Sequence, residues 1–416
     1  MKKTAAVVMI LLILLCALCP AACAEGGEAL QKGDILYFGV YEEEPIRWLV
    51  LDPAATNAGT PGIFLLSEHM LANQGVVYSW ARAVWQGSEG QAWCSNMLET
   101  AFSEAERAAI PAVSREEEAL QLYGLSWGAV SLEEEKVFFP SVVELSEYIG
   151  PNDGDPGLTA SMPNGKIGYY WLRTPHGFHN DYAGLVLEDN QVHDFLVYGS
   201  WGVRPATNLG GDGLLYVSPA RRTLTTRELG PLPVSEDGEW KATVADPSID
   251  FRVEDCSYQN GAVTVRYSGA PEGAWISLLE KDAQGKTVSY GCLSQSFTAD
   301  GSVTLSPDVS VDNTLWIFAE LDRGELSANT ASAPVELKWE IPAAPAETPA
   351  PEEPEETGTI SIAVETPEPT PPPVRSDENF RLFLRQYWMF AIPFAFLTLA
   401  AVIVIILQAV FRRRRF

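Results

Sequence analysis

Side chains that could bind a ligand are concentrated in two polar, turn-rich segments, residues 151–168 and 175–182. Carboxylates, amides and imidazoles can hydrogen-bond a hydroxyl-rich or cationic ligand, and an indole ring can stack on a sugar. The candidate ligand-binding residues are Asn152, Asp153, Asp155, His176, His179, Asn180, Asp181 and Trp201. Because both segments flank a strand predicted at residues 169–173, we expect them to emerge near each other as one ligand surface. The alternative is that both are only solvated connections.

Three further patterns are typical of catalytic or metal sites, and each has a simpler structural interpretation. Residues 124–128 read G-x-S-x-G, but a nucleophilic Ser126 needs a strand before it, and a Glu-rich helical stretch is predicted there. His176 and His179 have a spacing that could serve zinc, but a loop does not hold them on a common face. Residues 152–155 offer oxygens to calcium without the EF-hand order. We therefore expect no catalytic residue, no metal and no cofactor, and a binding function rather than an enzyme.

The charge balance excludes one large class of partners. The chain has 416 residues, a formal net charge of -27 and a pI of about 4.5. Nucleic acid is therefore not an expected partner, because phosphate binding needs a positive surface. An acidic surface that keeps the protein soluble explains this negative net charge. The more specific alternative is that the surface recruits cationic ligands.

The first half of the chain alternates predicted strands with short predicted helices. Apolar runs bounded by Gly, Pro and Asn predict strands at residues 35–41, 46–51 and 63–66. Helical spacing predicts helices within residues 88–110 and 141–149, and each region contains a Ser-x-x-Glu capping box. The two boxes are Ser103 with Glu106 and Ser141 with Glu144.

Three motifs in this half occur in a fixed order. The first is Gly33, Asp34, Phe38, Gly39, Tyr41, Ile46, Trp48, Val50 and Leu51, and the second is Trp93, Leu98, Phe102 and Glu106. The third joins Trp171-Leu172-Arg173-Thr174-Pro175 to Gly202-Val203-Arg204-Pro205-Ala206. Residues 33–209 thereby resemble the bacterial surface family called domain of unknown function 6273. That family is similar in turn to the formylglycine-generating sulfatase-modifying fold, a relative of C-type lectin-like domains.

The resemblance implies an α+β head domain at residues 25–215, with a small twisted sheet and loop-rich connections. Its structural motif residues would be Trp171, Arg173, Pro175, Gly202, Arg204 and Pro205. We expect the two arginines to pair with carboxylates or carbonyls rather than with a ligand. The chemistry of the distant relative is not implied, because it needs a pair of thiols and this region has only Cys94.

The second half reads as a separate all-β domain. After a connection at residues 216–244, the apolar period becomes two, and seven short strands predict an immunoglobulin-like sandwich over residues 245–340. Cys256 and Cys292 could form a disulfide there, since export would place them in an oxidising compartment. Two free thiols are the alternative.

The two ends of the chain predict export and a membrane anchor. Residues 1–24 have a signal-peptide pattern, and Cys23 leaves a lipidated N-terminus as an alternative. Residues 341–376 form a Pro/Glu-rich disordered linker. Residues 387–410 are apolar and long enough for one transmembrane helix, and residues 411–416 form a basic cytoplasmic tail. These patterns predict a single-pass cell-membrane protein with an extracellular N-terminal ectodomain.

Together these patterns predict an anchored binding or interaction protein whose head is displayed on a β-sandwich stalk. Its ligand would be a cell-surface glycan, a cell-wall component or a protein. Two alternatives stay open: an envelope hydrolase or oxidoreductase with a loop-borne site in the head, and a purely structural or sensory ectodomain.

Overall fold

The computed structural model describes residues 29–54, 62–152, 154, 157–306 and 313–339. Every described residue belongs to one compact unit, within Met1–Ala344. The predicted signal peptide, linker, transmembrane segment and basic tail lie outside the described residues, as do Asp153 and Asp155.

The described residues are mainly β-structure, with 48% in strands and 10% in helices. The predicted α+β class of the first half is therefore wrong. Among these residues no helix is long and apolar enough to cross a membrane. That finding contradicts the expected single-pass membrane location. The predicted span, residues 387–410, lies outside the described residues.

Among the described residues up to 209, the first half contains sixteen strands and three helices. The strands are β1 Ile35–Tyr41, β2 Glu44–Asp52, β3 Ile63–Ser67, β4 Ala72–Val77, β5 Val113–Glu117, β6 Leu120–Leu122, β7 Leu125–Trp127, β8 Val130–Glu135, β9 Val137–Phe138, β10 Ala160–Ser161, β11 Ile167–Gly168, β12 Tyr170–Pro175, β13 Tyr182–Val186, β14 Val192–Leu196, β15 Ser200–Val203 and β16 Ala206–Leu209. The helices are α1 Glu89–Ala101, α2 Glu104–Ala108 and α3 Val142–Tyr148.

The second half adds a short 3-10 turn, Gly211–Gly213, and eleven further strands among the described residues. These strands are β17 Leu214–Pro219, β18 Arg227–Pro231, β19 Glu239–Ala245, β20 Arg252–Gln259, β21 Ala262–Ser268, β22 Trp275–Lys281, β23 Thr287–Gln295, β24 Gly301–Leu305, β25 Thr314–Leu321, β26 Asn329–Ala331 and β27 Val335–Glu336.

Both predicted capping boxes are confirmed, and their glutamates also form hydrogen bonds with residues outside the helix. Ser103 accepts from the Glu106 amide at the start of α2, and Ser141 does the same with Glu144 at the start of α3. Glu106 also accepts the backbone N–H of Gly39 at 3.0 Å, which fixes α2 against β1. Each box therefore satisfies a helix terminus and joins the helix to a strand.

The Glu-rich stretch predicted as helix folds instead as strands β5 to β8. The pairs β5–β8 and β6–β7 are antiparallel. Glu117, within that stretch, and Glu135, on β8, are both buried here. Local propensity favoured a helix, but burial of these carboxyls against distant partners decided the structure.

A single thirteen-stranded sheet runs through both halves, in the order β18-β23-β22-β25-β26-β19-β1-β2-β3-β16-β9, with β17 and β27 attached to β19 and β25. Strand β19 is the junction. Along one edge it pairs first with β1 (Ile35 opposite Glu239) and then with β26 (Thr243 opposite Asn329), both in parallel. The segment predicted as a connection, residues 216–244, thus contains β18 and most of β17 and β19.

A second sheet holds the motif strands, in the order β14-β13-β12-β15-β4. Its two outer strands approach each other at one end, because the amides of Tyr78 and Ser79 both donate to Val197 O at 3.1 Å. Trp171 lies in the core beneath it and donates from its indole N–H to Val76 O at 2.9 Å. The sheet is therefore a strongly curled support for the loops at its ends.

In the second half, the three-stranded sheet β20-β21-β24 supplies one side of a separate apolar cluster, which includes Val263 and Val265. Ile276 and Ile317 of the large sheet supply the other side. The cysteines lie on different sheets and are free: Cys256 is on β20 and Cys292 on β23. The predicted disulfide is absent from the structure.

Candidate functional site

The motif residue Arg173 has a structural role. Its buried guanidinium donates to Phe139 O at 2.9 Å, to both carboxylate oxygens of Glu144 and to Glu117. Arg115 adds a second cation, 3.0 Å from Glu144. Two carboxylates and two guanidiniums thus neutralise each other and fasten β12, β5 and α3 together.

The pKa values of the two carboxyl groups in this cluster shift in opposite directions. Desolvation raises the pKa of Glu117, and the attraction of Arg173 only partly offsets it. Desolvation also acts on Glu144, but the charge and hydrogen bond of Arg173, together with Arg115, lower its pKa overall. Arg173, Glu117 and Glu144 are buried and Arg115 is only slightly exposed, so the cluster organises the fold rather than a ligand surface.

Arg204, the second motif arginine, is also structural. It donates to Ser67 O at 2.9 Å and to Gly157 O at 3.0 Å, and its guanidinium lies over the ring of Tyr170, 5.6 Å from the centroid. Both motif arginines thus pair with carboxylates or carbonyls of the protein itself. Trp171 is buried beside them, and the other motif residues, Pro175, Gly202 and Pro205, lie in or next to β12 and β15.

The β12–β13 loop, residues 175–182, carries a compact group of rings. His176 and His179 are stacked with centroids 4.8 Å apart; Tyr182 lies 5.5 Å from His179, and Phe178 lies 6.0 Å from His176. The buried Trp127 lies 6.5 Å from His176. We call His176, Phe178, His179 and Tyr182 the loop ring cluster.

Backbone hydrogen bonds hold this loop from three sides. Gly177 N donates to Ser126 O at 2.8 Å, Ala83 N donates to Asn180 O at 2.7 Å, and Val197 N donates to Asp181 O at 2.9 Å. A loop so bound keeps its shape without a ligand, which reduces the entropy that binding must overcome.

The imidazole of His176 is committed to the loop. Its Nδ1 accepts the backbone amides of Phe178 at 3.1 Å and of His179 at 3.2 Å, so the neutral ring carries its proton on Nε2. The described residues contain no group of three or more His, Cys, Asp or Glu side chains able to hold a metal. His176 therefore acts as a turn-forming acceptor and a ring surface.

Two large aromatic side chains project from this region into solvent. Phe178 is 80% exposed, and Trp80 is 68% exposed on the segment that Ala83 ties to the loop. Asn180 and His179 are exposed beside them. The loop thus presents ring faces together with hydrogen-bonding groups, the combination that hydroxyl-rich ligands need.

The other predicted loop, residues 151–168, lies at the opposite end of the sheet. Gly154 N donates to Asn190 O at 2.8 Å and Thr159 N donates to Asn190 Oδ1 at 3.1 Å, so this loop rests on the β13–β14 turn. Strand β13 runs from Tyr182 to Val186, next to that turn, and its four residue steps span about 13 Å at roughly 3.3 Å per residue. The two predicted loops therefore lie at opposite ends of the strand that they flank. They do not form the single ligand surface that was expected.

The structure therefore brings together only part of the predicted set. His176, His179, Asn180 and Asp181 share the β12–β13 loop, whereas the exposed Asn152 precedes Gly154 at the other end.

Trp201 belongs to a separate ring group. It lies between Tyr169, at 5.2 Å, and the edge of Phe195, at 5.1 Å. It is only partly exposed, and its indole N–H is buried with no partner among the described residues. The carboxylate of Glu188, which also accepts a hydrogen bond from Tyr169, raises the pKa of that tyrosine. Trp201 is thus a partly covered platform rather than a member of the loop ring cluster.

The side chains weighed for catalysis have other roles. Ser126 lies on β7 of a hairpin, and its hydroxyl accepts a hydrogen bond from the side-chain amide of Gln121. Cys94 is buried in α1, where burial, followed by the nearby Glu135, raises the pKa of its thiol well above the usual range. A thiol held in its neutral form is a poor nucleophile.

Phe178 and Tyr182 were missed by the sequence reasoning, which selected only polar residues and indoles. A signal was present: an aromatic within a run of Gly, His, Asn and Asp has no apolar neighbours with which to form a core. Such an aromatic projects from a loop unless a distant segment covers it.

Residues 62–211 match the family model described as Domain of unknown function (DUF6273). The resemblance to this family is confirmed over these residues, which contain the whole β12–β16 region. No curated protein and no solved structure matches the chain. The similarity to the sulfatase-modifying and C-type lectin-like folds is not shown.

Proposed function

We propose that this protein is a non-catalytic binding module whose ligand is a hydroxyl-rich molecule of the glycan class, held at the loop ring cluster and Trp80. The observation that carries the proposal is the exposure of Phe178 and Trp80 on two segments joined by the Ala83–Asn180 hydrogen bond. Exposed rings of this size are costly in water and are common at interaction sites.

The polar groups beside the rings define the ligand class. His179 and Asn180 are exposed, and Asp181 is partly exposed. An amide donates and accepts, a carboxylate accepts, and a neutral imidazole does both at different nitrogens, so the set can pair with several hydroxyl groups. Ring faces stack on the C–H face of a sugar while these groups fix its orientation.

The test uses the purified full-length chain on a glycan array, followed by calorimetry with the best-retained glycan. Phe178→Ala and Trp80→Ala should each weaken binding about tenfold or more and leave the melting temperature nearly unchanged, because both side chains are exposed. Phe297→Ala is the matched control, since Phe297 is 71% exposed in the second half, and it should bind like the unaltered chain.

Two results would refute this function. One is unaltered glycan retention in a Phe178→Ala/Trp80→Ala double variant. The other is turnover of the retained glycan that depends on Ser126 or Cys94.

A further inference from the structure

A second concave site lies at the junction between the two halves. Strand β1 pairs with β19 only from Ile35 to Tyr37, and β26 takes over the same edge from Thr243. Because β1 and β26 run in the same direction along one edge, β1 must turn away before β26 arrives. It does so at Gly39, where the backbone φ is +77° and the pairing with β2 shifts register.

The divergence of these two strands opens a cleft of about 350 Å³. Gly39 and Val40 line one side, and Ala328 and Thr330 line the other. Its volume falls within the range of small-molecule sites, about 300–1,000 Å³.

Opposite charges line this cleft without pairing with each other. Arg323 donates from Nε to Thr330 Oγ1 at 3.0 Å, and within the described residues its terminal nitrogens have no hydrogen bond or ion pair. Asp246 uses Oδ1 to accept from the amide and hydroxyl of Ser248, at 2.9 and 2.6 Å, which leaves Oδ2 open. Glu104 also lines the cleft and has no ion pair in the same part of the chain.

Arg323 is exposed and has no ion pair among the described residues, although carboxylates lie close by. The chain has 55 acidic and 28 basic residues, and three carboxylates line the same cleft, yet none lies within ion-pair distance of this guanidinium. Glu106 is occupied by its own capping box and by Gly39. A guanidinium and two carboxylates that are held apart around one small space are positioned for a ligand that carries both charges.

We propose that this cleft binds a zwitterionic ligand of the amino acid or short peptide class. The carboxylate of the ligand pairs with the terminal nitrogens of Arg323, and its ammonium group pairs with Asp246 and Glu104. Small apolar side chains of the ligand pack on Val40, which is 42% exposed, and on Ala328. The site is independent of the loop ring cluster, which lies on the β12–β13 loop.

Calorimetry of the full-length chain with L-alanyl-L-alanine at low salt tests this site. We expect saturable binding, and we expect N-acetylation or C-terminal amidation of the dipeptide each to weaken it about tenfold, because each removes one charge-assisted contact. The Arg323→Gln variant should bind the free dipeptide more weakly by a similar factor, and it should bind the amidated and the free dipeptide equally. The Asp246→Asn variant should likewise bind the N-acetylated and the free dipeptide equally.

The control for Arg323→Gln is Arg252→Gln, an exposed arginine on β20 that pairs with Asp250, and it should bind like the unaltered chain. A Phe178→Ala variant should also bind the dipeptide normally, which separates this site from the proposed glycan site. Absence of saturable binding, equal binding of the acetylated and free dipeptides, or equal losses in the Arg323 and Arg252 variants would each overturn the proposal.

Discussion

Replacing Arg173 by Met should expose how much the fold depends on the buried charge cluster. The substitution removes the donors to Phe139 O, Glu144 and Glu117 while keeping an unbranched side chain. Arg115 remains 3.0 Å from Glu144, so one cation still faces two buried carboxylates. Removing one partner from a buried ion pair costs about 3–5 kcal/mol, and the surviving Arg115 places the expected loss near the lower end, about 3 kcal/mol.

Denaturation of the full-length chain measures this loss directly. At about 2–4 °C for each kcal/mol, the melting temperature should fall by roughly 6–12 °C at pH 7. Arg252→Met is the control, because Arg252 and Asp250 form an exposed pair, and its effect should stay within about 0.5 kcal/mol.

The loss should also depend on pH, and its sign follows from burial. Without Arg173, desolvation raises the pKa of Glu117 and Glu144 above their values in the unfolded chain, so the folded variant binds protons more readily than the unfolded variant. Lowering the pH from 7 towards 5 therefore stabilises the variant relative to its unfolded state.

In the unaltered chain, Glu144 has a lowered pKa, and its contribution is lost only as the pH falls through that value. The free-energy difference between the two proteins should thus be smaller at pH 5 than at pH 7. A loss below about 1 kcal/mol at pH 7, or the same loss at both pH values, would refute the reasoning.

Two further predictions concern backbone geometry and thiols. Gly39→Ala should destabilise the chain by about 2 kcal/mol or more, because a Cβ there would lie 2.5 Å from the ring of Phe102 at a φ of +77°; Gly124→Ala, at a φ of +73° in open space, should cost only about 1 kcal/mol in the same denaturation assay. Cys256 and Cys292 should both react with maleimide in denaturant without reductant, and in the folded protein the partly exposed Cys256 should react first; an unreactive pair in denaturant would mean that they form a disulfide.

Local patterns identified much of the fold, and long-range pairing supplied what they could not. Strands β1, β2 and β3 and both capping boxes lie where short-range signals predicted them. The signals failed at β5, because the burial of Glu117 depends on Arg173, 56 residues away in sequence. Local patterns also did not predict the position of β19 in the sheet, because they contain no information on the pairing of Glu239 with the distant Ile35.

The candidate site was predicted in part for the same reason. Polarity and turn residues selected the exposed loop that contains His176, His179 and Asn180, and the proposed site lies there. They could not show that residues 151–168 rest on Asn190 at the other end of the sheet, because that depends on strand register. The cleft at Arg323 had no sequence signal, since its two sides, Gly39 and Ala328, are distant in sequence and meet only through β19.

The pairing of β1 with β19 also sets an order in time. Strand β1 leaves the ribosome well before its parallel partner, Glu239–Lys241, which is made some two hundred residues later. Until then one edge of β1 has no partner, and β1 must be shielded from pairing with strands of other chains. Translation arrested before β19 should therefore leave the first half open along this edge, and closure of the sheet becomes a late step in the maturation of a nascent chain.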